Sequence, residues 1–209
     1  MNLLIHPTYF PSVASFIAIS KSENITFESV DNYQKQTYRN RMFIYGANGK
    51  LLLNIPVKHN KTDNKITYKD IQIENIEDWQ KQHWRSIVSA YKSSPFFEYY
   101  EDEIKTFFFT PQYSLFNMNV KIFETICECI GLNFLIKYTT TYKKEVNPEK
   151  NTDLRNLVNS KKETNPIFER YTQVFCEKYG YLNNLSILDL LFNEGPNTLN
   201  YLESQEVFW

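Results

Sequence analysis

The sequence predicts an α/β fold: one domain over residues 1–209, with a mixed sheet, an N-terminal strand–loop–helix, a β-hairpin and a helical middle block. Three observations predict it. The short apolar run Leu3-Leu4-Ile5 breaks at His6-Pro7 and is followed by helical spacing. Asn48-Gly49 sits between two apolar runs. From Glu77 onward the apolar period changes from two to nearly four.

The elements follow in order. Residues 3–6 read as a strand that Pro7 ends. Val13, Phe16, Ile17 and Ser20 lie at helical spacing, with Ser12 as N-cap after Pro11. The β-branched stretch NITFESV reads as a second strand. RMFIYGANGKLLLNIPV, residues 41–57, reads as an antiparallel hairpin turning at Asn48-Gly49, two residues that tolerate positive φ. NKTDNK reads as a loop and ITYKDIQI as a further strand, from the near-alternation of Ile66, Tyr68, Ile71 and Ile73. Trp79, His83, Ile87 and Tyr91 recur every four residues, which places them on one buried helix face. A second helix of this block starts near Ser94 with Pro95 at its first position, and a third ends at Gly131. LIKYTTTYKK reads as a strand. DLRNLVNSKK, PIFERYTQVFCEKYG and SILDLLFNEGP read as helices.

Composition narrows the function classes. The net charge is −1 with both signs interspersed, so nothing resembles a nucleic-acid stripe or a polybasic membrane anchor. No apolar run reaches the ~18 residues of a membrane span, and the N-terminus lacks a leader pattern. Cys127, Cys129 and Cys176 form no disulfide or metal spacing, which favours packing thiols and a cytoplasmic location. No metal, P-loop, dinucleotide or nucleophile-elbow motif is present, and no cofactor is named by any motif. The 16 Phe, 15 Tyr and 3 Trp suit an aromatic core and a ligand pocket alike.

Four stretches carry candidate chemistry. In HPTYFPS a polar loop leads from a strand into a helix N-terminus, the usual ligand position in α/β sheets. His6 would serve there as donor and Tyr9 as wall, the alternative being a loop that only shapes a turn and plugs the core. In YQKQTYRNR, strand alternation sends Arg39 and Arg41 to opposite faces, so one of them meets the loop. Arg41 is expected to be the anion-binding one, with Tyr33, Lys35 and Asn40 beside it. In WQKQHWRS, His83 joins the site if its helix faces the loop, and otherwise is a satisfied core histidine. Asp189 and Asn193 share a helix face and are either substrate-binding or capping groups. The expected catalytic set is thus His6, Arg41 and His83; the expected substrate-binding set is Tyr9, Tyr33, Lys35, Asn40, Asp189 and Asn193.

HPTYFPS, VDNYQKQTYRNR, NGKLLLNIPVK, DWQKQHWRSIVSAYKSSPFFEYY, LFNMNVKIFETICECIGL and SILDLLFNEGP, in that order, resemble the WbqC-like protein family. That family usually opens on Gln-Pro-x-Tyr-Phe/Leu-Pro followed by Trp; His6 stands at the Gln position and Ser12 at the Trp position. An amide does no acid–base work, so position 6 is expected to hydrogen-bond. Longer relatives have an extra segment where this chain has NPIFERYTQVFCEKYGYLNN. The resemblance implies a bacterial protein of O-antigen and other surface-polysaccharide gene clusters. It implies glycine, aminoacyl or acyl transfer onto a sugar. The alternative is a non-catalytic module for a nucleotide-sugar or glycan. An adenylate mechanism, with ATP phosphates on Lys35 and Arg41, would suit amide formation. The partner is in either case a small-molecule or sugar-linked substrate. A cleft of convergent charges would favour the enzyme, and a shallow aromatic groove the binding module.

Overall fold

The computed structural model describes residues 2–58, 66–148, 151–161 and 167–206. β1 (Asn2–Ile5) leads through HPTYFPS into α1 (Val13–Ser20) and then into β2 (Asn24–Phe27), which lies parallel to β1. β3 (Arg41–Gly46) and β4 (Gly49–Asn54) form a separate antiparallel hairpin. The helical block is α2 (Trp79–Tyr91), α3 (Phe97–Phe109) and α4 (Leu115–Ile130). β5 (Ile136–Tyr138) and β6 (Thr152–Asp153) return to the first sheet. α5 (Cys176–Tyr179), α6 (Ile187–Glu194) and α7 (Thr198–Ser204) complete the described chain.

The parallel sheet has the order β5-β2-β1-β6. The chain steps outward from β1 to β2 to β5, then crosses back to β6 on the other side of β1. The strand order therefore reverses between β1 and β6, and the carboxyl ends there are where open α/β sheets hold ligands. Strand alternation divides the sheet: Leu3, Ile5, Ile25 and Phe27 are buried in the aromatic core, and Leu4 and Thr26 point to the other face.

Most elements form where the sequence places them. Ser12 caps α1 and Ser114 caps α4, each accepting a first-turn N–H; α4 ends at Gly131 with φ +78°. Trp79, His83, Ile87 and Tyr91 are all buried on α2. Gly195 is required where the chain turns after α6, because a Cβ there would collide with the Phe96 ring.

Other elements differ. The hairpin turns one residue earlier than expected. Gly46 pairs with Gly49, and only Gly49 takes positive φ, +98°. A turn closed by a single left-handed glycine preserves strand twist without forcing Asn48 to positive φ. The ladder stops at Asn54, short of Val57. The expected strand over 66–73 is a 3₁₀ turn at Tyr68–Asp70 between isolated bridges, since the N–H groups of Tyr68 and Lys69 go to the carbonyls of Asp31 and Ser29. α3 begins two residues past Pro95. Residues 155–158 form a 3₁₀ turn rather than an α-helix. Of the expected helix over PIFERYTQVFCEKYG only Cys176–Tyr179 is helical. Gln173 holds the rest extended: its amide both donates to and accepts from the Leu182 backbone, at 2.9 Å each. The expected NKTDNK loop lies largely outside the described residues.

Candidate functional site

The carboxyl ends of β1 and β6 open onto a cleft of about 300 Å³. Its wall includes His6, Asp31, Arg39, Tyr142, Asp153 and Arg155. Gln34, Asn156 and Asn159 add amides.

His6 follows β1 directly and is 4% exposed. Its Nε2 lies 2.6 Å from Arg39 Nη2 and 3.2 Å from Asp31 Oδ2, and the same Arg39 nitrogen donates to Asp31 Oδ2 at 2.6 Å. A guanidinium has no lone pair, so Nε2 must accept, which leaves the ring proton on Nδ1. The His6–Asp31 contact is then between two acceptors that share one donor nitrogen. His6 Nδ1 is buried without a hydrogen-bond partner among the described residues. Burial, and then the Arg39 charge, outweigh the opposing Asp31 and lower the His6 pKa to about 4, so the ring is neutral at pH 7.

Arg39 is fully buried. Its guanidinium lies 5.1 Å from the Tyr68 ring centroid, and its carbonyl accepts from Asn119 of α4 at 2.7 Å. Tyr68 donates to the Pro7 carbonyl at 2.7 Å and accepts from the same Asn119 at 2.6 Å. One asparagine thus fixes both the HPTYFPS loop and Arg39. Arg39 Nε and Nη1, which carry three N–H bonds, have no partner among the described residues. Burial lowers the Arg39 pKa, and Asp31 opposes this. For Asp31, burial acts upward, but the Arg39 cation and the Asn32 backbone act downward, and the carboxyl is held below the usual carboxylate range.

Across the cleft Arg155 forms a bidentate pair with Asp153: Nε to Oδ1 at 2.9 Å and Nη2 to Oδ2 at 2.6 Å. Its Nη1 reaches Glu28 Oε2 at 3.2 Å. Glu28, fully buried at the end of β2, also accepts from Val30 N, Asp31 N and Thr139 Oγ1. It is a saturated knot that ties the ends of β2, β5 and β6 together. Burial acts upward on Asp153 as well, but its bonds to Arg155 hold it below its ordinary value.

The other expected site residues lie elsewhere. Arg41 opens β3 and donates to Asn54 Oδ1 at 3.3 Å; its charge reaches Tyr33, but it does not line the cleft. The alternation that favoured Arg41 over Arg39 fails because β3 begins only at Arg41. Asn40 N bonds back to the Thr37 carbonyl, and this turn carries Arg39 to the loop. Asn40 stitches the hairpin through Asn54 and the Ile55 carbonyl. Tyr33 stacks on Tyr68, and Lys35 is exposed; neither lines the cleft. Tyr9 is fully buried, with its hydroxyl 2.8 Å from His83 Nδ1. His83 also bonds the Asn54 backbone and is a satisfied core histidine, its pKa lowered to about 4 by burial. Asp189 is buried on α6, accepting from Tyr171 at 2.6 Å and Gln173 at 2.8 Å, and burial raises it to about 6. Asn193 Nδ2 bonds back to the Asp189 carbonyl.

The N-terminus of α1 is closed to ligands. Val13 N donates to the Leu185 carbonyl, Ala14 N to Asn184 Oδ1, and Ser15 N to Ser12 Oγ. The positive pole of the site is guanidinium, not helix dipole. Asp31, Asp153 and Arg155 were missed by sequence reasoning. With only five arginines in the chain, Arg155 just after Asp153 was the available signal. Among the described residues no three His, Cys, Asp or Glu side chains gather to hold a metal ion, and no helix is long and apolar enough to cross a membrane.

The WbqC-like protein family matches residues 6–171, a span that begins at His6 and holds every cleft residue named above. The chain belongs to this family. The uncharacterized protein Rv1507c of Mycobacterium tuberculosis is similar to this WbqC-like chain: 24% identical over 226 residues, covering 95% of this chain and 96% of the relative. No solved structure matches it.

Proposed function

We propose that the chain is an acyl transferase of surface-polysaccharide biosynthesis that moves a glycyl, other aminoacyl or simple acyl group from an activated ester, thioester or acyl phosphate onto a sugar amine. One observation carries this reading: a buried Arg39 with three N–H bonds unpartnered among the described residues, paired with an ionised Asp31 at the reversal point of a parallel sheet. Acyl transfer passes through a tetrahedral intermediate whose oxygen gains negative charge, and fixed N–H donors stabilise it. Arg39 supplies such donors. Asp31 and Asp153 suit the α-ammonium of an aminoacyl group. Two cations and two carboxylates leave the cleft wall close to neutral, which fits a zwitterion better than a polyphosphate.

The amine lone pair attacks the acyl carbon and the C–N bond forms. The bond to the leaving group then breaks, and the leaving group keeps that electron pair. The proton of the attacking nitrogen passes to Asp31 or to the leaving group. A carboxyl held below its usual range is a weak base, adequate for an amine adduct and poor for a hydroxyl. His6 positions Arg39 and needs no proton of its own, in keeping with the glutamine that the family resemblance implies at this position. The binding-module reading requires stacking surface, and Tyr142 is the one aromatic carbocycle among the residues named for the cleft.

The test is mass-spectrometric detection of acylated amino sugar across a panel of acyl and aminoacyl donors. Arg39→Lys should lower turnover by roughly 10²–10³, the scale of losing an oxyanion donor. A folded wild-type chain that binds sugar but transfers nothing from any donor would support the binding module instead.

A further inference from the structure

Arg155 is a wall shared by two hollows. The second, of about 260 Å³, lies over the sheet face turned away from the aromatic core. Leu4 and Thr26 form its floor, Tyr138 one side, and Thr140, Thr141 and Lys143 its rim. The segment after β5 serves both hollows in alternation: Thr141 and Lys143 line the second, and Tyr142 lines the first, its ring centroid 5.1 Å from the Arg155 guanidinium carbon.

The polar groups of this hollow divide sharply. Thr139 is committed, its hydroxyl donating to Glu28 and accepting from Ser29 N. Thr26, Thr140 and Thr141 make no side-chain hydrogen bond among the described residues. Their hydroxyls both donate and accept, which matches the alternating roles of neighbouring hydroxyls on a pyranose. Leu4 and the Tyr138 ring offer the apolar surface that the C–H face of a sugar needs, and Tyr138 is 47% exposed. The volume lies just under the roughly 300–1,000 Å³ range of ligand pockets, the scale of a single ring rather than of a nucleotide-sugar.

We infer that this second hollow binds the sugar ring of the acceptor, with its amine directed past Arg155 into the cleft. The acyl-transfer reading supplies only the nature of the acceptor; the binding site rests on the hollow itself. The two hollows then hold the two halves of the reaction, and Arg155, pinned by Asp153 and Glu28, fixes the distance between them.

Saturation-transfer NMR on the full chain, with methyl glycosides of amino-hexoses as probes, tests this. Wild type and Arg39→Lys should both transfer saturation to the sugar ring protons. Thr140→Trp, which fills the rim from an exposed position, should weaken sugar binding about tenfold or more. Tyr138→Ala, checked for folding by circular dichroism, should do the same. Binding that survives both rim variants but is lost in Arg39→Lys would place the sugar in the first cleft, overturning this inference and leaving acyl transfer intact. No saturation transfer to wild type at millimolar sugar would also overturn it. Sugar binding lost in the rim variants, with no acyl donor giving product, would sustain the inference and remove the acyl-transfer reading.

Discussion

Two buried histidines show how differently the two sides of this molecule treat polar groups. His83 sits on α2 among Trp79 and the Tyr9 ring, bonded to the Tyr9 hydroxyl through Nδ1 and to the Asn54 backbone. His6 sits at the end of β1 with one nitrogen on Arg39 and the other unpartnered among the described residues. Burial lowers both to about 4. Titration alone therefore does not separate the core from the site; the state of the hydrogen bonding does. The helical side closes its N–H donors on one another, as at the α1 N-terminus, and leaves only single oxygens such as Asp189 Oδ1 without a partner among the described residues. The sheet edge leaves a buried guanidinium incompletely bonded. Incomplete bonding in a folded interior costs free energy, and at a cleft wall it marks where a ligand completes the set.

The sharpest way to break this comparison is to remove the charge partner at the open side. Asp31→Asn leaves Arg39 buried without its closest carboxylate and should destabilise the fold by about 3 kcal/mol. Arg39→Met combined with Asp31→Asn should recover most of that loss. Urea unfolding of the two single mutants and the double mutant measures the coupling; simple additivity would show that the pair is not a unit.

Acid probes both sides together. Each histidine has a folded pKa below its unfolded value, so the unfolded state binds more protons between about 4 and 6.5. Stability is then lost as pH falls through that window, by roughly 2 kcal/mol per histidine between pH 7 and pH 5. Asp189 acts with the opposite sign. Its folded pKa is raised to about 6, so it offsets about 1 kcal/mol of that loss. Thermal melts across pH 5–7 should show a net decrease, smaller in His83→Gln and in His6→Gln; a flat profile would contradict both buried neutral rings.

On the closed side, Tyr9→Phe strips a partner from a buried ring nitrogen and should cost roughly 1–2 kcal/mol with no effect on the cleft. Ligand binding that changes alongside stability would join the two regions. The smallest effects should come from His6→Gln and Arg41→Ala. A glutamine oxygen accepts from Arg39 as Nε2 does, so His6→Gln should stay within about 1 kcal/mol at pH 7. Arg41→Ala should change stability and ligand affinity by less than about 0.5 kcal/mol. A large affinity loss there would restore Arg41 to the site.

The sequence made the strand–loop–helix, the hairpin and the helical block legible because each rests on local rules: periodicity, capping, turn glycines. Of the residues expected at the site, only His6 lines the cleft. Choosing Arg41 over Arg39 required knowing that residues 37–40 turn rather than extend. Asp153 and Arg155 reach the cleft through β6, a strand of two residues whose pairing with β1 no local pattern announces. The extended stretch before α5 was misread for a related reason. Its backbone is held by the Gln173 side chain and the Tyr171–Asp189 bond, contacts made across the fold.

The N–H groups of Val13 and Ala14 and the carbonyls of Phe10 and Pro11 are satisfied by residues 184–187. Phe10 is held at φ +39°, a conformation an unconstrained Phe rarely adopts. During synthesis the ribosome makes the HPTYFPS loop well before its clamp at residues 184–187. Until residues 184–187 emerge, α1 lacks these outside caps and the Phe10-Pro11 part of the loop is unclamped. A nascent chain paused before Asn184 should therefore leave Phe10 and Phe16 open to chaperones, and the cleft should acquire its shape only once α6 has left the exit tunnel.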